Sequence, residues 1–366
     1  MRILVAPDKF AGTLTAGQAA GAIRDGWLAT ASGDELELVP LSDGGPGFLD
    51  VLAPALGGDL ESVSVTGPLG APVEARLLVL VESGTRTAYV ESADACGLHL
   101  VPPDHRDVAA ATSFGVGELL LAAMERGCDR VVVGVGGTAT SDGGAGMLAA
   151  LGAYPRDVLA TGGAALAGIG RVDLAPARAR VEGVTLVAAT DVGGPLMGSD
   201  GAALGYAAQK GADRVTRDLL ETAMRAWATA TDGAGAVRPG AGAGGGLGFG
   251  LLLLGAERVA GATVTVEATG LAERVATVDL VVTGEGAFDW QSLRGKTVAG
   301  VARVAQDAGR PVVVLAGRVE VGRRELANAG IDAAYAIDDL PAGEAGHTPA
   351  QSLAALAARV ARTWSR

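Results

Sequence analysis

One pattern recurs along this chain: a short apolar run of strand type, then a polar, glycine-rich turn holding an aspartate, often followed by a helix-type segment. It occurs in APDKFAGTLT, PLSDGGPG, GVGGTATSDGGAG, AATDVGGPLMGSDG and VVTGEGAFDWQSLRGKT. In an open α/β sheet the loops after strand C-termini converge on the crevice where ligands bind. Glycines there let backbone N–H groups approach an anion, and a following helix N-terminus adds a favourable dipole. Aspartates suit Mg2+, and lysines offset phosphate charge. Together these features suit phosphoryl transfer, which proteins catalyse by positioning and electrostatics.

Composition removes the competing explanations of so much glycine. Glycine fills 57 of 366 positions, against roughly 7% of an average protein. No G-X-Y period runs anywhere, so collagen is excluded. With 49% hydrophobic and 19% charged residues, disorder is excluded as well. The glycines therefore belong to turns of a folded α/β or α+β protein, long enough for two domains. The net charge of −12 and the lack of a basic stripe exclude general nucleic-acid or anionic-membrane binding. A phosphorylated small ligand needs only local positive charge, so it stays open. Cys96 and Cys128 lack CxxC spacing and suit buried thiols in a reducing compartment. MRILVAPDKF does not read as a signal peptide, and LGFGLLLLGA is too short and glycine-rich to span a bilayer, so the expected location is cytoplasmic.

Only three of the 29 basic residues are lysines, Lys9, Lys210 and Lys296, and all three lie within a few residues of a glycine in motif-like segments. Lysine is a compact point charge often set against phosphate, so the three are read as parts of one anion-binding cleft.

The texture divides the chain. Arg2 to Ala6 reads as a strand, followed by a helix with Thr15 as N-cap and Gln18 closing a capping box. Leu36 to Val39 and Phe48 to Leu56 repeat the strand–loop–helix unit, which predicts a parallel sheet. Near Glu61 three strands follow one another with no helix between, an α+β texture. From Val278 the first texture returns and runs to a final helix capped by Thr348, with Pro349 and Gln351 in place. The economical reading is an α/β domain of flavodoxin- or Rossmann-like type from residues 1–62 plus 276–366. An α+β mixed-sheet domain, residues 63–275, is inserted into it. The stretch from Thr231 to Gly250 shows no periodicity.

Single motifs discriminate weakly. GKT at Gly295 to Thr297 is not a P-loop, because Trp290 stands where that motif needs glycine. PGAGAGGGLG contains a formal GxGxxG, but no strand precedes it. The two DGG segments, at Asp43 and Asp142, suit an aspartate-initiated turn as well as a ligand. His99, His105 and His347 are scattered, which leaves a metal cluster or a Ser-His-Asp triad without support. Glu91 and Glu118 suit either acids of the site or solvated, capping residues.

Taken in order, the segments resemble the bacterial glycerate kinase family that phosphorylates the 2-hydroxyl. Ala6, Pro7, Asp8 and Phe10 match its opening APD-x-F; GVGGTATSDGGAGML, residues 134 to 148, matches GIGGSATNDGGAGML. TSFGVGEL, QKGA, PGAGAGGGLG and TGEGAFDWQSLRGK follow in the family's order. The resemblance implies ATP-dependent phosphorylation of D-glycerate to 2-phosphoglycerate, with ATP and Mg2+, in a cleft between two domains. It implies small-molecule partners, with no nucleic acid and no membrane, and leaves room for a homodimer. Asp289 and Asp191 are then first choices for metal or base, and Lys296 for phosphate, with Lys9 beside it in the catalytic set. Asp8, Asp43, Asp142 and Lys210 come next, with Gly44, Gly45, Gly136, Gly137, Thr138, Gly284 and Glu285 as substrate- or nucleotide-binding positions. The family's pattern is broken at five places. Ala11 replaces a lysine, Pro46 a glutamate, Phe48 a threonine, Gly194 an asparagine and Ala287 an arginine. The lost groups are polar, so they bear on the acceptor. The alternatives are a kinase of another small hydroxy acid and a non-catalytic nucleotide or metabolite sensor on the same fold.

Overall fold

The computed structural model describes residues 1–365 except Ala11, Ser83, Arg294 and Ala342, and the side chain of Glu82 is outside the description. The substitution at Ala11 thus lies outside the described residues. In chain order the strands are β1 (Arg2–Val5), β2 (Glu35–Leu38), β3 (Asp59–Thr66) and β4 (Pro72–Glu82). Next come β5 (Thr85–Glu91), β6 (Arg130–Gly134), β7 (Thr185–Ala189) and β8 (Glu257–Val259). The last three are β9 (Leu280–Phe288), β10 (Val312–Val319) and β11 (Ala333–Ala336). Two compact units result. One comprises residues 1–43, 50–56 and 260–366, the other residues 44–49 and 57–259. The texture change therefore trails the division at both ends. β3 already belongs to the second unit, and the helices Gly261–Ala268 and Leu271–Val275 already belong to the first.

The first unit is built on a wholly parallel sheet in the order β11-β10-β9-β1-β2. Counted within this unit, that is the flavodoxin order 2-1-3-4-5, whose direction of winding reverses between β1 and β9. Both faces are covered, as a parallel sheet requires. Ile3, Val5, Leu280 and Val282 pack against Ile23, Trp27, Leu353 and Val360 of the helices Ala16–Thr30 and Pro349–Trp364. Leu4, Val281 and Val314 pack on the other side against Val298, Val301 and Ala305 of the helix Thr297–Asp307. Alternation along each strand sends successive side chains to opposite faces. Gly26 lets the first of these helix pairs close up, because a Cβ there would lie 1.9 Å from the Ala354 carbonyl oxygen. Both capping boxes form, Thr15 with Gln18 and Thr348 with Gln351.

The second unit carries a mixed sheet in the order β3-β4-β5-β6-β7-β8. Its first three strands are antiparallel and the rest parallel. The expected α/β unit and α+β mixed-sheet unit are therefore both present. The stretch that lacked periodicity contains the helix Ala243–Leu253. Its residues are glycine or apolar on every side, so no amphipathic stripe marks it. Gly244, Gly245 and Gly246 also take left-handed backbone angles inside it.

Candidate active site

In the first unit the candidate side chains gather at the C-terminal ends of β1, β2 and β9, around the reversal between β1 and β9. Asp8 leaves β1 with its N–H donating to the Gly284 carbonyl of β9, at 2.8 Å. On its other side Gly284 lets β10 lie close, since a Cβ there would meet the Leu315 carbonyl oxygen at 2.1 Å. The Asp8 carboxylate accepts from the Thr297 hydroxyl and from the Lys9 backbone N–H, both at 2.7 Å. Lys9 Nζ donates to Asp43 Oδ1, beyond β2, and stands 3.7 Å from Asp8 Oδ1. Burial drives the Asp8 carboxyl well above the ordinary carboxylate range and the Asp43 charge adds to it, while Lys9 and Thr297 pull the other way. The structure thus brings Asp8, Lys9, Asp43 and Gly284 together, as the sequence suggested.

Glu285 continues β9 one residue beyond Gly284. Its Oε1 is buried and has no hydrogen-bond partner among the described residues. Burial pushes its carboxyl up to about 7; Asp8 and Asp289 raise it further, and Ser292 and Lys296 oppose them. Asp289 has a local task. Its Oδ1 accepts from the backbone N–H groups of Gln291 and Ser292, at 2.7 and 3.3 Å, closing the turn after β9. Lys296 is half-buried and is the N-cap residue of the helix Thr297–Asp307, where a phosphate would meet both ammonium and helix dipole.

In the second unit the expected residues build loops. Asp142 is fully buried and accepts four hydrogen bonds, from the Ser113 N–H and hydroxyl and from the N–H groups of Gly144 and Gly146. It ties the turn after β6 to the start of the helix Phe114–Glu125. Burial raises its pKa, against the pull of those four donors. Lys210, also buried, donates to Thr138 Oγ1 at 3.1 Å and to the Thr140 carbonyl at 2.6 Å. Burial lowers its pKa to about 8. Lys210 belongs to the second unit, and its ammonium is satisfied by protein oxygens, whereas Lys9 and Lys296 belong to the first. Asp191 follows β7 and is half-buried. Glu91 accepts from the N–H groups of Gly47 and Leu49 at the start of the helix Phe48–Leu56, and Glu118 ties its helix to the end of β3 by accepting from the Thr66 N–H. Glu91 is nevertheless buried, and burial pushes its carboxyl to about 7.

The departures from the family's pattern have structural contexts. A Cβ on Gly134 would lie 2.7 Å from the Phe48 ring, one on Gly136 2.7 Å from Gly45 Cα, and one on Gly137 2.3 Å from Pro46. Pro46 and Phe48 therefore pack on the glycine turn after β6, with Gly44 and Gly45 beside them, and Phe48 is fully buried. Gly194 sits where a Cβ would meet the Asp200 carbonyl oxygen at 2.4 Å, so this backbone excludes the asparagine. Ala287 pairs in register with Arg318 of β10, so a guanidinium stands on the next strand beside the position that lacks one. Sequence reasoning missed Thr297, Ser113 and Arg318. Thr297 sits in a quoted motif, but its partner Asp8 is 289 residues away.

Magnesium would arrive with a nucleotide and needs only one or two protein carboxylates beside phosphate and water. Among the described residues no group of three or more His, Cys, Asp or Glu side chains is placed to hold a metal ion. The two carboxylates singled out for one, Asp191 and Asp289, belong to different units. Among the described residues no helix is long and apolar enough to cross a membrane.

The model of the glycerate kinase family matches residues 3–365. A glycerate kinase of Halalkalibacterium halodurans is 38% identical, with 92% of this chain and 90% of that protein covered. The glycerate 2-kinase of Escherichia coli is 37% identical over the same shares, 92% and 90%. A Salmonella typhimurium LT2 protein, solved as a candidate glycerate kinase 2, superposes with a TM-score of 0.75 at 34% identity. That superposition covers 99% of this chain and 98% of the solved one.

Proposed function

The chain belongs to the glycerate kinase family, and we propose that it transfers the γ-phosphate of ATP to the 2-hydroxyl of D-glycerate, giving 2-phosphoglycerate in the cytoplasm. The observation that carries this reading is the set of charged groups at the reversal of the parallel sheet, on a chain that matches the family along its length. Lys296 at the helix N-terminus offsets phosphate charge. Lys9, held between Asp8 and Asp43, fixes the two carboxylates beside the switch point. Asp191 meets the magnesium that accompanies ATP, and that ion neutralises charge on the phosphate oxygens. Asp142, Lys210, Gly136, Gly137 and Thr138 hold the shape of the glycine loops in the second unit.

The test is phosphotransfer by the purified protein with ATP, Mg2+ and D-glycerate, the product position being read by phosphorus NMR. Lys296→Ala is expected to lower kcat/KM by about 10²-fold or more, the size of effect seen when one preorganised charge-stabilising group is removed. Asp289→Asn keeps an oxygen for the turn, so its effect reads the carboxylate charge alone. Wild-type turnover of a related hydroxy acid without turnover of glycerate would replace the acceptor. Tight ATP binding without transfer to any acceptor would replace the reaction.

A further inference from the structure

The carboxylates of the first unit differ in one respect. Asp8 is engaged by Thr297 and the Lys9 N–H, Asp43 by the Lys9 ammonium, and Asp289 by its own turn. Glu285 alone in this group presents a buried oxygen, Oε1, with no hydrogen-bond partner among the described residues. A buried polar atom left in that condition is destabilising, so its position calls for a ligand-dependent explanation. It lies at the C-terminal end of β9, one residue past the Gly284 carbonyl that holds Asp8, beside the sheet's reversal.

We propose that Glu285 is the catalytic residue that takes the proton from the acceptor hydroxyl, through Oε1. This rests on the kinase reading above. In the step, the acceptor oxygen forms a bond to the γ-phosphorus as the bond from that phosphorus to the bridging oxygen of ATP breaks. The hydroxyl proton passes to Glu285 Oε1, and ADP leaves with the bridging oxygen's electron pair. The groups facing Glu285 tune it in opposite directions. A hydrogen bond from the Ser292 side chain and the charge of Lys296, at the helix start, favour its charged form, and Asp8, after β1, and Asp289, after β9, disfavour it. Lys9 and Asp43 stand behind Asp8 and balance one another. A carboxyl that titrates near neutrality is matched to proton transfer at the working pH, whereas one of ordinary acidity is a weaker base.

The experiment compares wild type, Glu285→Gln and Glu285→Asp in steady-state phosphotransfer to D-glycerate across pH 5 to 9, at saturating and limiting Mg2+. Thermal melts of each variant check folding. For the wild type, kcat/KM is expected to fall on the acid side with a midpoint near 7. Glu285→Gln is expected to lose about 10²-fold or more in kcat, with KM for ATP and glycerate little changed and the acid limb gone. Glu285→Asp is expected to recover part of the rate with a displaced acid limb. Three results would overturn the proposal: Glu285→Gln retaining more than about a tenth of wild-type kcat, an acid limb that persists in that variant, or a loss restored by excess Mg2+. The last would make Glu285 a metal ligand. If the wild type itself does not phosphorylate glycerate, the functional reading fails first; if the wild type works and Glu285→Gln works equally, only this assignment fails.

Discussion

Two sets of buried charges, one in each unit, are held differently, although Glu221 of the mixed-sheet unit also keeps a buried Oε2 with no hydrogen-bond partner among the described residues. In the mixed-sheet unit Asp142 receives four donors and Lys210 reaches two oxygens, all from the protein. In the parallel-sheet unit Glu285 keeps a buried oxygen, Oε1, without a donor among the described residues, and Asp8 is held close to a second carboxylate. A satisfied buried charge fixes loops, and an incompletely satisfied one is available to a ligand. An aspartate in such a turn thus holds a loop in the one unit, while in the other Asp8 and Glu285 are the groups the proposed chemistry would use.

The contrast is most open to attack at Asp142. Asp142→Ala would strand several buried donors at roughly 1–3 kcal/mol each, so a loss of at least about 3 kcal/mol is expected in urea unfolding. A loss of activity with unchanged stability would move Asp142 into the chemistry and break the comparison. Glu91 gives the next effect. Its folded-state pKa of about 7 lies above the ordinary glutamate value of 4.5, so between those values the folded protein binds more protons than the unfolded chain. The stability it contributes is full below that window and is lost as pH rises through it, by up to about 3 kcal/mol. Glu91→Gln should therefore flatten the decline in stability between pH 5 and 8, and an unchanged slope would mean that Glu91 is charged in its niche. The smallest effect belongs to Arg318, whose side chain is largely exposed and paired with Glu320. Arg318→Ala should alter stability by less than about 0.5 kcal/mol. A raised KM for glycerate in that variant would show that the neighbour of Ala287 supplies the missing guanidinium.

Much of the architecture is legible locally. Thr15 with Gln18 and Thr348 with Gln351 are contacts within one turn, so their residue types announce the helix starts. The helix Ala243–Leu253 was not legible, because apolar residues and glycine surround it and its left-handed glycines break the period. How each of the three lysines is held was not legible for a related reason. Each lies in a glycine-rich motif, but Lys210 is buried and held by Thr138 and Thr140, residues about seventy positions earlier. Nor does the sequence show that Phe48 fills the space above Gly134, which makes that departure a matter of packing.

By itself the sequence determined the alternation of strand, aspartate-bearing turn and helix, the caps and the family, because each rests on residue types at short, fixed spacings. The tertiary structure alone decided which charges are satisfied. Asp8 meets Thr297 across 289 positions and Asp142 meets Ser113 across 29, and no local pattern encodes such pairs. Whether a buried carboxylate stabilises a loop or is kept for a substrate depends on those distant donors, since burial disfavours the charged form and hydrogen bonds restore it.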